Sequence, residues 1–213
     1  MREQVESAEK HEAEHGTLAR VVREACRKIT PRATQPEIDA EVDRVVGAVR
    51  AYVRAMPELV DATLDAAAHH GVSDQVKPIF DTAVAYINED VDFIPDAHGL
   101  AGLVDDAYLV HGLMQEISRR HNTLTGTPLL PESWFAPSQQ IRRLVGEPTA
   151  TRLDVAVVAF ARAQNVRDVV EQIVARIGTT GLTMNLPSNV AFGFGEETAE
   201  DLPELELGSL GEW

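Results

Sequence analysis

The chain has 213 residues, a formal net charge of −15 and a pI near 4.8. That balance repels nucleic-acid phosphates and anionic lipid surfaces, and no basic patch of any size offsets it, which argues against a nucleic-acid partner. The single Cys26 excludes an internal disulfide and the paired-cysteine zinc patterns, and no uncharged apolar run approaches the ~18–20 residues of a membrane-spanning helix.

Hydrophobic residues make up 44% of the chain and aromatics only 5%, so the expected core is built on Ala, Val, Leu and Ile. No apolar segment of the signal-peptide kind follows Met1-Arg2-Glu3-Gln4-Val5-Glu6. The expected protein is soluble and cytoplasmic, without membrane insertion.

Residues 2–15 are charged on nearly every face and read as an exposed helix. Within them, His11-Glu12-Ala13-Glu14-His15 has the H-E-x-x-H form, in which two histidines one turn apart bind zinc beside a glutamate base. The charged Glu14, the flanking Lys10 and Gly16, and the lack of a completing histidine favour a solvated face instead. Leu18, Val21, Val22, Ala25 and Ile29 then form a helical stripe that ends at Thr30-Pro31.

Thr34-Gln35-Pro36-Glu37 has the form of a capping box. Ile38, Val42, Val45, Val46, Val49, Val53 and Met56 keep a helical period up to Pro57, which is expected to break or restart the helix. A further helix runs from Glu58 to about His70, where His69 and His70 place cations at the negative end of the dipole. Ser73-Asp74 opens the next helix, with Val76, Ile79, Phe80, Ala83, Val84 and Ile87 as its buried stripe.

The least ordinary stretch follows. Asp92, Asp96, Asp105 and Asp106 lie within fifteen residues, among Phe93, Ile94, Leu100, Leu103 and Val104. Pro95 forces Ile94 into an extended conformation and is itself acceptable in a first helical turn. The expected arrangement is a helix ending near Asn88 and a new one starting at Pro95 or Asp96. His98, Gly102 and Asp105 or Asp106 would then share one face, with Gly102 marking a close approach. The aspartates supply hard oxygen ligands suited to Mg²⁺ or Ca²⁺, with His98 available for a transition metal. The alternating aspartates of an EF-hand and the E-x-x-H pairs of di-iron bundles are both missing.

Asp92-Phe93-Ile94-Pro95-Asp96, then Gly102, then Asp105-Asp106 resembles the core pattern of the bacterial YkvA-like domain of unknown function. Lys77 and Tyr86 sit where that family tends to have a lysine and a tyrosine. The resemblance covers about residues 58–122. It implies a helical domain without an established activity, and many relatives look membrane-associated. This chain departs from them at His111, Gln115, Glu116, Arg119 and Arg120, which argue against insertion.

Residues 123–150, with Gly126, Pro128, Pro131, Pro137 and Pro148, read as an ordered loop around one short helix, Ser138–Val145, anchored by Trp134-Phe135. Thr151 and Asp154 then cap one long helix over 151–178. Its first half, Val155-Ala156-Val157-Val158-Ala159-Phe160, is apolar all round and therefore expected to be central.

No Lys or Arg follows Arg176, and seven acids do. Residues 179–213 are expected to be a disordered, self-repelling tail. Its tip nevertheless carries Leu205, Leu207, Gly208, Ser209, Leu210 and Trp213, apolar groups the tail cannot bury, which suggests a linear motif that docks in a groove. The stretch Leu205–Leu210 resembles the C-terminal cargo-loading peptides of encapsulin shells, which often carry an apolar residue before Gly-Ser-Leu.

These readings combine into an all-α bundle of about six helices with a disordered acidic C-terminal tail. The divisions are N-terminal helices (1–57), a YkvA-like helical unit (58–122), a Pro-rich loop (123–150), a long central helix (151–178) and the tail (179–213). The expected function is a non-enzymatic helical interaction or scaffold protein with no certain cofactor. Its tail would dock to a protein partner, an encapsulin shell being one, which would place it inside that shell. The alternative is a divalent-metal-binding protein or metal-dependent hydrolase using Asp92, Asp96, Asp105, Asp106 and His98.

Overall fold

The computed structural model describes residues 1–87, 93–131 and 134–178. Among these the chain is all-α: α1 Arg2–His15, α2 Thr17–Ile29, α3 Gln35–His69, α4 Ser73–Ile87, a 3-10 segment Asp96–Ala101, α5 Val104–Thr125, α6 Ala136–Val145, α7 Thr149–Ala163 and α8 Val166–Ile177. Among the described residues the α-helices therefore number eight rather than about six. The expected tail, 179–213, lies outside the described residues.

One helix is longer than expected. Pro57 does not break α3, which runs through it for 35 residues. A proline in a helix interior removes one backbone hydrogen bond and crowds the preceding turn. Here Met56, Pro57, Leu59 and Val60 are all buried on the common core. Burial of large apolar side chains, at roughly 1.5–3 kcal/mol each, outweighs the proline's penalty. At the start of α3 the Glu37 carboxylate accepts the Thr34 N–H at 2.7 Å, as the capping-box form predicts.

Another helix is shorter than expected. Residues 151–178 form two helices, because Asn165 takes left-handed angles (φ 49, ψ 39) and ends α7. Asparagine tolerates that conformation better than most residues. Asp154 does not cap α7, whose first residue is Thr149; Glu147 instead accepts the Thr151 N–H at 3.2 Å.

Nor is the apolar first half of that stretch central. On α7 only Thr149, Ala150, Leu153 and Ala161 are buried, while Val155 is 63% and Val158 49% exposed. The central helix is α5, which packs against α3, α6, α7 and α8 and buries twelve residues, five of them polar.

The core draws on every helix and on the 3-10 segment, including Val5, Leu18, Tyr52, Val76, Leu100, Leu113, Ile141, Leu153 and Val170. Phe135 is buried at the start of α6 and Trp134 packs partly buried beside it, so the expected anchor is present. The loop before it is held to α5 by Ser118 Oγ, which accepts the Leu130 N–H at 3.2 Å, and by His121 Nδ1, which donates to the Thr127 carbonyl at 2.7 Å. Among the described residues no helix is long and apolar enough to cross a membrane.

Candidate functional site

Two regions of α5 concentrate the chain's polar chemistry. The first lies at its N-terminus. Asp105 sits in the first turn and is only 2% exposed. Its Oδ2 accepts the N–H groups of Phe93 and Ile94 at 2.9 and 3.0 Å. The carboxylate thereby satisfies two donors in a non-helical segment whose own geometry offers them no partner. It also lies at the positive end of the α5 dipole, as does the equally buried Asp106.

The expected continuous helix through this region is interrupted. Pro95 is extended, residues 96–101 form the 3-10 segment, and Gly99 (φ 62, ψ −124) turns the chain before α5 begins. His98 and Asp105 therefore do not share a helical face. Gly102, the expected point of close approach, has ordinary right-handed angles (φ −67, ψ −29). The close approach is instead at Gly99. A Cβ there would lie 2.6 Å from His11 Cδ2 and 3.3 Å from the Ala8 carbonyl oxygen, so α1 rests directly on the 3-10 segment.

His98 is half-buried in that segment. Asp105 and Asp106 are consecutive helical residues and leave the axis roughly 100° apart. Asp92 and the Asp96 side chain lie outside the described residues, as do Leu205, Leu207, Gly208, Ser209, Leu210 and Trp213. Among the described residues no three His, Cys, Asp or Glu side chains are grouped to hold a metal ion.

The H-E-x-x-H stretch is a solvated face at Ala13, Glu14 and His15 but not at Glu12. Glu12 is 5% exposed, and its two oxygens accept the N–H groups of Leu18 and Ala19 at 2.9 and 3.0 Å. It caps α2 from α1, across the turn at Gly16. His11 and His15 stack at 4.4 Å, and the His11 Nε2 lies 3.3 Å from Thr17 Oγ1. The glutamate is engaged as a helix cap, which leaves it no role as a free base.

The second region is an open groove of about 560 Å³ along α5 from Tyr108 to Arg120, walled by α7 and the start of α8. Tyr108, Gly112, Gln115 and Arg119 reach it at three- and four-residue spacing along α5. Gly112 lets α7 lie close: a Cβ there would meet Val157 Cγ2 at 2.6 Å. Asp154 fixes the wall, accepting the Tyr108 hydroxyl at 2.6 Å and the Arg142 Nε–H at 2.9 Å. Burial, followed by the neighbouring Asp154 carboxylate, pushes the Tyr108 hydroxyl pKa upward, so it stays a hydrogen-bond donor.

The rim carries Arg119, Arg120, Arg162 and Arg167. Arg119 and Arg120 share Glu116 at 2.9 and 3.0 Å, and Arg167 pairs with Glu171 at 2.9 Å. Arg162 is exposed and in no ion pair among the described residues. The apolar surface is supplied by Val157 and the half-exposed Val158.

No single motif in the sequence announces this groove. Its signals were Gln115, Glu116, Arg119 and Arg120 on an otherwise apolar helix, and the all-round apolar face of α7, which reads equally well as a central helix. Comparisons with protein-family models, with curated proteins and with solved structures find no match to this chain.

Proposed function

We propose that the chain is a non-enzymatic helical interaction protein, in which the aspartate junction is architecture and the C-terminal segment is the docking element. One observation carries the first half. The buried Asp105 carboxylate is engaged by two backbone N–H groups, the geometry of a group that holds a chain connection in place. The likeness of residues 58–122 to the YkvA-like domain belongs to the same proposal. So does the likeness of Leu205–Leu210 to encapsulin cargo-loading peptides, which would place the protein inside a shell.

Calorimetric titration of chelator-stripped protein with Mg²⁺, Ca²⁺, Mn²⁺ and Zn²⁺ tests the architectural role. The expected result is no stoichiometric binding, with Asp105→Asn lowering stability. Tight binding that disappears in Asp96→Asn with Asp105→Asn would replace this reading with the metal-dependent one. Co-production with an encapsulin shell, with and without residues 203–213, tests the docking role. Encapsulation that survives the deletion, or fails for the intact chain, would remove the shell from the proposal.

A further inference from the structure

The groove on α5 and α7 has no part in the aspartate junction, yet it has a defined chemical preference. Its lining holds four arginines against the three carboxylates of Glu116, Asp154 and Asp168, a small local excess of positive charge in a chain whose net charge is −15. Beneath them lie Val157 and Val158, the latter 49% exposed. A small neutral ligand would leave unused Arg162, which is in no ion pair among the described residues, and a nucleic acid would be repelled by the rest of the protein. A ligand that is both acidic and apolar suits the groove best.

Residues 202–213 have that composition: Leu202, Leu205, Leu207, Leu210 and Trp213 alternate with Glu204, Glu206 and Glu212, without a single Lys or Arg. We propose that this groove is the docking site of the chain's own C-terminal segment, with the acids against the arginine rim and the apolar side chains over Val157 and Val158. The proposal rests on the reading of that segment as a docking motif and supplies its resting place. A partner that takes the segment would have to compete with the groove.

Reach allows it. The groove includes the first residues of α8, and the segment is tethered to the last. The 12 residues of α8 span roughly 18 Å. The intervening residues 179–201 cover about 25 Å even as a random coil and about 75 Å fully extended. Tethering also decides between cis and trans. A short peptide with a Kd of about 0.1 mM, held at an effective concentration of about 1 mM, would be roughly nine-tenths docked. A second copy at about 10 µM would fill only about a tenth of the grooves.

The chain has two tryptophans, Trp134 and Trp213, so the full-length Trp134→Phe protein carries one reporter at the tip of the segment. Acrylamide quenching of Trp213 is compared with that of a synthetic peptide of residues 202–213. The expected result is quenching about tenfold weaker in the protein, unchanged on dilution, and restored to the peptide value by Arg119→Glu with Arg162→Glu. Both arginines are exposed, so folding is checked simply by retained helical circular dichroism. Arg27→Glu with Arg32→Glu, two exposed arginines at the α2–α3 end, controls for net charge and should change nothing.

Quenching equal to the free peptide's would overturn the proposal while leaving the segment free to dock in trans. Protection insensitive to the groove reversals would place the segment elsewhere on the bundle and overturn it too. Protection lost on dilution would make the occupant a second copy. The encapsulation assay is independent of all three, so failure of the groove and failure of the docking motif are distinguishable.

Discussion

The junction and the groove, both built on α5, use the same parts and reach opposite results. Each has an aspartate that bridges elements and a glycine that admits a close neighbour. At the N-terminal end Asp105 binds backbone N–H groups, Gly99 is pressed against His11, and the region closes under α1. In the groove Asp154 binds two side chains, Tyr108 and Arg142, its own side chain is 44% exposed, and Gly112 admits the Val157 side chain. A carboxylate that satisfies backbone donors fixes the path of the chain and is sealed in. A carboxylate that satisfies side chains at a rim fixes a wall and leaves the space beside it open. The first arrangement builds a fold, and the second leaves a surface for something else to cover.

The contrast breaks first at Asp105. Asp105→Ala should leave two N–H groups without a partner and lower stability by about 4 kcal/mol, read as a fall in thermal midpoint of roughly 8–16 °C. The equivalent Asp154→Ala, at a solvated rim, should move the midpoint far less. Equal losses at the two sites would erase the distinction drawn between them.

Gly99→Ala comes next. Its backbone angles are ones that L side chains rarely adopt, and its new Cβ would meet the His11 ring. Strain and overpacking together predict a loss of about 3 kcal/mol, measured by urea denaturation. Gly112→Ala meets a side chain of comparable closeness, but in right-handed helical backbone where alanine is preferred by about 1 kcal/mol, so its net cost should be only about 1 kcal/mol.

His111, on the side of α5 that meets Tyr52 of α3, gives the protein a pH signature. Its ring is fully buried and stacked on Tyr52 at 4.0 Å, and its Nε2–H donates to the Tyr52 carbonyl at 3.1 Å. Burial pushes its pKa down to about 4, against an ordinary value of 6.5. The unfolded chain therefore takes up this proton first as pH falls. The neutral ring's contribution is intact above pH 6.5 and is lost progressively toward pH 4, by up to about 3 kcal/mol. His111→Phe keeps a flat ring and should flatten that part of the pH–stability curve. An unchanged slope between pH 6.5 and 4 would assign the acid sensitivity to the carboxylates instead.

Much of the architecture was legible in the residues. The Leu18 and Val22 part of the expected α2 stripe, the capping box at Thr34 and the Ser73 start of α4 are local patterns with local causes, whereas Ile29 of that stripe is 55% exposed and Cys26 is buried in its place. The errors came where packing overruled such a pattern. Pro57 lies within α3 because the buried residues around it outweigh one lost hydrogen bond. Glu12 looked solvated in a charged helix, and its two acceptors became a cap only once α2 folded back beside it.

Sequence alone determined that the chain is all-α, where α1, α3 and α4 begin, and that Asp105 and Asp106 are exceptional among apolar neighbours. Periodicity, proline and capping residues act over a few positions, so their consequences can be read from a few positions. Tertiary structure alone decided that α5 rather than α7 is central, that Gly99 rather than Gly102 is the point of contact, and that four arginines from α5, α7 and α8 line one groove. Those outcomes depend on which faces meet between residues far apart in the chain, and the period of a single helix carries no information about its partner.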